Sequence, residues 1–357
     1  MEKNKKSKVA VGLSGGVDSS VSAFLLKEMG YDVVGLFMKN WENGREQRHC
    51  AATQDYEDAL SVAHALQIPL HSWDFSKEYW NIVFSSFLQD LKCGFTPNPD
   101  ILCNKEIKFK IFLNKIMKLG ISQLATGHYA GISEKHDLLR GWDERKEQSY
   151  FLYTLNIDTL RHLIFPLAKY RKTEVRTIAQ QIGLDVHNKR DSTGICFIGE
   201  QNFNKFISQY LKPKPGWIKT PEGKIVGQHE GIWHFTIGQR KGLEIGGEGE
   251  AWFVYGKDAR TNEVFVAQGK DHSLLYSSAL LAFQLSWVKE PPTLPCHCTA
   301  KIRYRQEDQA CIIEKSDENF VRVSFSQPQR AITPRQAIVF YQNAICLGGG
   351  TIFTCCT

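Results

Sequence analysis

Apolar and polar positions are arranged in two ways along the chain. Up to about residue 208, short apolar runs alternate with stretches of helical spacing, whereas further on apolar residues recur at every second position. Val9–Leu13 reads as a buried parallel strand, Asp18–Met29 as a helix and Asp32–Met38 as a second strand. A helix over about Asp55–Leu66, a strand near Pro69–Trp73 and a long helical pattern over Lys77–Leu91 continue the alternation. Ile121–Thr126 is a further strand, residues 130–155 form a hairpin, and Thr173–Ile182 is a helix with Thr173 as N-cap and Gly183 as its stop. This order predicts an α/β domain with a doubly wound parallel sheet over residues 1–208, its ligands at the carboxyl ends of the strands.

Pro213-Lys214-Pro215-Gly216 marks a linker. A small β-rich module follows over 209–277, with strands predicted at Gly227–Gly231, Ile232–Ile237, Ala251–Tyr255 and Glu263–Ala267. Residues 278–357 show a clear period of two at Cys298–Tyr304, Ala310–Ile313, Val321–Phe325, Ala337–Tyr341 and Cys346–Phe353, which predicts a small closed β-barrel.

At 357 residues the chain suits two or three domains. No stretch approaches the length of a membrane span, and the first strand follows the Lys-rich start at once, so a cytoplasmic protein with no membrane partner is expected. A net charge of +6 suits a polyanionic partner without demanding one. The ten cysteines include no Cys-x-x-Cys pair, which argues against a zinc ribbon or a thioredoxin motif.

Between the first strand and helix lies Ser14-Gly15-Gly16-Val17-Asp18-Ser19. Adjacent glycines let the backbone turn its N–H groups toward a ligand, and the helix that follows presents its positive dipole end. The stretch is an anion cradle. It lacks both the Gly-Lys-[Ser/Thr] of a Walker loop and the Gly-x-Gly-x-x-Gly of a dinucleotide fold, and it resembles the pyrophosphate loop of the ATP pyrophosphatases, which cut ATP between its α and β phosphates.

Thr96-Pro97-Asn98-Pro99-Asp100 forbids regular helix and predicts an exposed, stiff loop ahead of a helix starting near Asn104. Cys103 then sits at a helix N-terminus, where a thiol pKa falls below its usual value of about 8.5, with Asp100 near enough to shuttle protons. A capping turn with Cys103 packed inside is the competing view. Cys196 lies in Ser192-Thr193-Gly194-Ile195-Cys196-Phe197-Ile198-Gly199 and is open to the same two readings. Gly127 and His128 follow a strand at the ligand edge, although a lone histidine is more often structural. His234–Leu243 pairs basic residues with glycines, as a phosphate site or a solvated hairpin would. The same ambiguity holds for the charged run Glu144–Ser149 and for Arg303, Tyr304, Arg305, Arg330, Arg335 and Gln336.

The order of these motifs across nearly the whole chain closely resembles the tRNA-specific 2-thiouridylase family. Lys146-Glu147-Gln148 is a small departure, since the family usually has Asp in the middle position. The resemblance implies an adenine-nucleotide α-hydrolase-like domain that replaces O2 of the wobble uridine by sulfur in tRNAs for Lys, Glu and Gln. ATP would bind to Gly12, Leu13, Ser14, Gly15, Gly16, Val17, Asp18 and Ser19, with Met38 and Gly127 beside the adenosine and Mg²⁺ offsetting phosphate charge. Asn98, Pro99 and Asp100 would contact the target base, while His128, Lys146, Glu147, Gln148, Arg303, Tyr304 and Gln336 would contact tRNA. Cys196 would carry sulfur from a donor protein as a persulfide, Cys103 would be the nucleophile that ends in a transient disulfide with Cys196, and Asp100 would be the general acid/base. Direct persulfide attack, released sulfide and an iron–sulfur cluster are alternatives that the residues do not separate. Other pyrophosphate-loop synthetases, which need no cysteine pair, or a non-catalytic RNA-binding or redox-sensing protein, are the rival readings, and neither accounts for all of the motifs.

Overall fold

A computed structural model describes residues 7–41, 51–191 and 203–356. Five parallel strands form the first sheet: β1 (Lys8–Gly12), β2 (Asp32–Lys39), β3 (Leu70–Asp74), β4 (Leu124–Ala125) and, after a β5–β6 hairpin (Ala130–Ile132, Leu138–Arg140), β7 (Leu163–Ile164). Their order is β3-β2-β1-β4-β7. Val9, Ala10 and Val11 are completely buried, because β1 is central and is covered on both faces. The order reverses between β1 and β4. At that switch point a crevice opens beyond the carboxyl ends of the strands, and both the Ser14–Ser19 loop and Gly127 lie there.

Helix α1 (Val17–Glu28) returns along the sheet with Val17, Val21, Leu25 and Leu26 buried. Ser20 and Ser22 are also buried, and their hydroxyls donate to the carbonyls of Gly16 and Asp18 at 2.8 Å each, so small polar residues are buried without loss of hydrogen bonding. Helix α2 (Ala51–Ala65) covers the loop from the other side.

The helix expected to start near Asn104 starts at Pro99 instead. Asn98 is its N-cap, accepting from the Asp100 N–H at 3.1 Å, and Pro99 occupies the first turn, where its missing N–H costs nothing. Hydrogen bonding widens to the π pattern from Cys103 to Phe112 before the α form resumes at Leu113–Lys118. Cys103 is therefore one turn inside the helix, not at its N-terminus, and Pro99 is buried where an exposed loop was expected. The predicted Thr173 cap is also displaced: the helix spans Lys172–Gln181, and the Glu174 carboxylate accepts from the Arg171 N–H at 2.7 Å.

In the central module, β8 (Gly216–Lys219), β9 (Ile225–His229), β10 (Trp252–Asp258) and β11 (Glu263–Gln268) form one sheet in the order β10-β11-β8-β9. The strand predicted at Ile232–Ile237 is instead a short 3₁₀ turn over Ile232–His234. Ile232 and Trp233 are consecutive and both buried, which a one-faced strand does not allow.

The C-terminal strands are β12 (Tyr276–Trp287), β13 (Cys296–Lys301), β14 (Gln309–Lys315), β15 (Val321–Arg330), β16 (Ala337–Gln342) and β17 (Ile345–Cys356). β12 pairs with both β15 and β17, and this double pairing closes the barrel. Gly348 and Gly349 permit the closure: a Cβ there would lie 2.2 Å from the Ser286 carbonyl oxygen and 2.4 Å from that of Ile338. The β5–β6 hairpin of the first domain joins this sheet through β17. Tyr150 reinforces the seam by donating to the Ala337 carbonyl at 3.0 Å, and Arg140 holds Asp308 at 2.7 Å while its guanidinium stacks 3.7 Å from the Tyr341 ring centre. Among the described residues no helix is long and apolar enough to cross a membrane.

Candidate active site

The Ser14–Ser19 loop leaves β1 and closes on itself through Ser19. The Ser19 hydroxyl accepts from the Ser14 N–H at 3.1 Å and donates to the Gly16 carbonyl at 3.0 Å. Gly16 caps α1 with no side-chain hydrogen bond to the first turn, so the backbone donors of that turn face the crevice. Two glycines are required sterically. Gly15 has φ +73°, and a Cβ on it would come within 2.2 Å of the Asp55 carbonyl oxygen on α2. Gly127 needs no unusual dihedral, but a Cβ there would lie 2.8 Å from the backbone of both Asp18 and Ser19. The strand end after β4 thus packs directly on the α1 N-terminus. Gly12 and Met38 are partly buried at the ends of β1 and β2, and Leu13 and Val17 are core residues beneath the loop.

Around the loop lies a network of charges in which Asp18 and Lys146 were expected site residues, whereas Lys172, Lys189, Asp191, Asp55, Asp58 and Tyr129 were not. Lys172 donates to both oxygens of Asp18 at 2.7 and 2.8 Å and to Asp191 at 2.7 Å, and the Tyr129 hydroxyl donates to Asp18 at 2.7 Å. Lys189 reaches Asp55 at 2.7 Å, the Gly15 carbonyl at 3.1 Å, and Asp58. Burial would raise the Asp191 carboxyl, but hydrogen bonds from Lys146 and Lys172 outweigh it and hold the pKa at about 2. Only the Lys-Tyr-x-Lys spacing and the Lys189-Arg190-Asp191 run hinted at this network. Residues 189–191 lead directly in sequence to the Cys196 motif, which lies outside the described residues.

Because the folded Asp191 titrates below the ordinary 3.8, its stabilisation is present above about pH 4 and fades as the pH falls toward 2. Asp191→Asn is expected to cost about 1 kcal/mol at pH 7, after discounting for partial exposure. Urea unfolding checks this, and the gap from wild type should narrow as the medium is acidified toward pH 2.

Cys103 is 1% exposed, in a core with Ile107, Phe109 and Phe112. Its neighbour Asn104 is buried as well and donates to the Phe151 carbonyl at 3.2 Å. Asp100, partly exposed, has its carboxyl pKa raised by burial against the opposing pull of Lys108. The shift favours the protonated form of the carboxyl relative to a solvent-exposed one. His128 packs between Phe109 and Phe165, with ring centres 5.7 and 5.9 Å away, and shares a 2.7 Å hydrogen bond with Thr126. Burial, and then Lys108, hold its pKa well below the usual imidazole range, so His128 has a hydrogen bond and no charge to offer.

The other expected RNA contacts are engaged within the protein. Lys146 pairs with Asp191, Glu147 is 5% exposed and accepts from the Ser149 N–H, and Gln148 accepts from the Tyr129 N–H at 3.0 Å. Tyr304 packs 4.4 Å from the Phe151 ring. Gln336 donates to the Thr96 carbonyl. Arg303 directs one nitrogen to the Ile237 and Ala331 carbonyls at 3.0 and 3.1 Å and to the Thr333 hydroxyl at 2.7 Å, joining the central module to the barrel. Arg303→Ala is therefore expected to loosen this seam by about 1–3 kcal/mol and to weaken tRNA binding without changing ATP affinity. Thermal melting and parallel titrations with tRNA and ATP read the two effects.

Three family descriptions match in succession: a tRNA methyl transferase HUP domain over residues 7–200, a tRNA methyl transferase PRC-barrel domain over 204–268, and an aminomethyltransferase β-barrel domain over 277–352. Proteins named tRNA-specific 2-thiouridylase MnmA are similar along the full length. That of Listeria monocytogenes serotype 4b (strain CLIP80459) is 52% identical, with 98% of this chain and 96% of the relative covered. That of Oceanobacillus iheyensis is 50% identical over 99% and 97%, and that of Protochlamydia amoebophila 52% over 98% and 94%. With its parallel-sheet domain, its central module and its closed barrel each matched in order, the chain belongs to the tRNA-specific 2-thiouridylase family, enzymes that transfer sulfur to tRNA.

Proposed function

We propose that this protein uses ATP to replace O2 of the wobble uridine by sulfur in tRNAs for Lys, Glu and Gln. The observation that carries the reading is the anion cradle at the β1/β4 switch point, in a chain whose full-length relatives are tRNA-specific 2-thiouridylases. The open backbone donors of α1 and the close-packed Gly15 and Gly127 suit a triphosphate. Asp18 retains 30% of its side-chain exposure beside the cradle, and magnesium is commonly held by one or two carboxylates together with substrate phosphates. Bound Mg²⁺ would supply neutralisation of phosphate charge.

The uridine oxygen is a poor leaving group, and adenylation corrects this. O2 attacks the α phosphorus, a P–O bond forms, and pyrophosphate leaves with the electrons of the broken bond. Lys172 and the α1 N–H groups are positioned to stabilise charge at the cradle. In the direct route, the terminal sulfur of a Cys196 persulfide attacks C2 and AMP departs with the oxygen. Cys103 then attacks the Cys196 sulfur, breaks the S–S bond to the base and forms a Cys103–Cys196 disulfide, which an external thiol must reduce before the next turnover. In the alternative, Cys103 first releases sulfide, which attacks C2 itself, and the same disulfide results. Asp100, with its raised carboxyl, is the acid/base partner. An anticodon base is unpaired in the free tRNA, which lowers the cost of taking it into the pocket.

The test is a single turnover of unmodified glutamate tRNA with ATP, Mg²⁺ and a persulfide donor. Formation of 2-thiouridine, AMP and pyrophosphate is the expected result. ATP cleavage with no sulfur in the RNA would point to another pyrophosphate-loop synthetase.

A further inference from the structure

Phe95 and Thr96 lead into the turn that carries Asn98 and Asp100, and both β modules grip them. From the barrel, Gln336 donates to the Thr96 carbonyl, while Arg335 lies 3.5 Å from Asp90 and 5.2 Å from the Phe95 ring centre. From the central module, Lys257 Nζ donates to the Phe235 carbonyl at 2.6 Å and to the Thr96 hydroxyl at 3.4 Å. The Thr96 and Thr236 hydroxyls are themselves 3.4 Å apart. One ammonium and two hydroxyls thus converge where three domains meet.

Lys257 has no ion-pair partner among the described residues, and two of its three donors are used. Burial alone pushes its pKa down to about 8, so the site keeps a cation at an energetic cost with no countercharge to offset it. An arriving anion would remove that cost. The cleft that begins at Thr236 continues past Gly238, Gln239, Gln306, Arg303 and Arg330, and among the described residues no carboxylate lines it. Its chemistry is that of a phosphodiester site: cationic and amide donors without acidic groups.

We propose that Lys257, with the hydroxyls of Thr96 and Thr236, is a receptor for a backbone phosphate of the substrate RNA, set at the turn that leads to Asp100. This rests on the reading of the protein as a tRNA-thiolating enzyme. A phosphate seated there would bridge the central module to the Thr96 turn, and so would couple RNA docking to the position of Asn98 and Asp100.

The experiment titrates unmodified tRNA against wild type, Lys257→Met and Lys257→Arg across a range of KCl concentrations, with ATP affinity measured in parallel. Lys257→Met should weaken tRNA binding about 5- to 10-fold, and the slope of log affinity against log salt should fall by about 0.7–0.9, the loss of one phosphate contact. Lys257→Arg should keep the slope, and ATP affinity should be unchanged. Thr236→Val, which keeps the ammonium, should weaken tRNA binding about 2- to 3-fold and stands in if Lys257→Met does not fold. Unchanged tRNA affinity and slope in Lys257→Met, even with slower thiolation, would overturn the receptor and leave Lys257 a positioning residue. Loss of ATP affinity with intact tRNA binding would also overturn it, assigning the site to a nucleotide phosphate. A wild-type enzyme that binds tRNA but adds no sulfur refutes the functional reading instead, since the salt slope still reports on the phosphate contact.

Discussion

Cys103→Ser is expected to lower 2-thiouridine formation at least about 10³-fold while pyrophosphate release in the first turnover survives. Serine is close in size to cysteine, so the core around Ile107 and Phe112 is kept at a cost of about 1 kcal/mol. What is lost is chemical: a hydroxyl of high pKa cannot cleave an S–S bond at neutral pH. The variant also separates the two routes. Direct persulfide attack should leave the RNA joined to Cys196 through an S–S bond that added thiol releases, whereas a sulfide-release mechanism leaves no such adduct. Cys196→Ser should abolish thiolation by either route. If Cys103→Ser thiolates at the wild-type rate, Cys103 is a core thiol and the assignment fails. Since Cys103 is 1% exposed, the side chains covering it must move before it can meet a base entering from solvent. Fluorescence or hydrogen-exchange changes over residues 95–112 on tRNA binding would register that movement.

Gly127→Ala is expected to cut adenylation at least about 10²-fold, with ATP affinity falling in parallel. The new methyl group would lie 2.8 Å from the Asp18 and Ser19 backbone, and neither can yield without moving the N-terminus of α1 and the donors it presents. Gly30→Ala is the control. Gly30 has φ +89° with nothing within 4 Å of an added Cβ, so its substitution should cost about 1–2 kcal/mol of stability through backbone strain alone and leave the chemistry intact. Equal losses of activity in the two variants would show that the cradle tolerates movement at Gly127.

The first βαβ unit was legible because its signals are local. A run of buried apolar residues, two glycines and a helical apolar stripe specify β1, the loop and α1 within one or two residues. Gly127 was legible as the end of a strand at the ligand edge, while its place at the switch point came only from the strand order of the folded sheet. The helix start was not legible, because Pro97 and Pro99 look equally disruptive in sequence. Asn98 accepts the Asp100 N–H, and that bond makes Pro99 the first helical residue and buries Cys103 a turn further in. β12 escaped notice since Ala279–Phe283 is an unbroken apolar run without a period of two, and the adjacent Ala279 and Leu280, on opposite faces, are both buried.

Local patterning therefore sufficed for the class of fold, the order of its three parts and the glycine loop at the start of α1, because each depends on neighbours within a few residues. The partners of Lys172, Lys189, Lys257 and Arg303 could not be read in advance. Their contacts span from 19 to 174 residues of chain, and an ion pair or a buried ammonium has no periodicity to mark it. The same holds for the β5–β6 hairpin, whose sequence carries no sign that its free edge completes a sheet with β17, more than two hundred residues away. Which residues share a strand follows from steric preferences along the backbone, whereas which charges share a site is settled by packing and desolvation once the three domains close on one another.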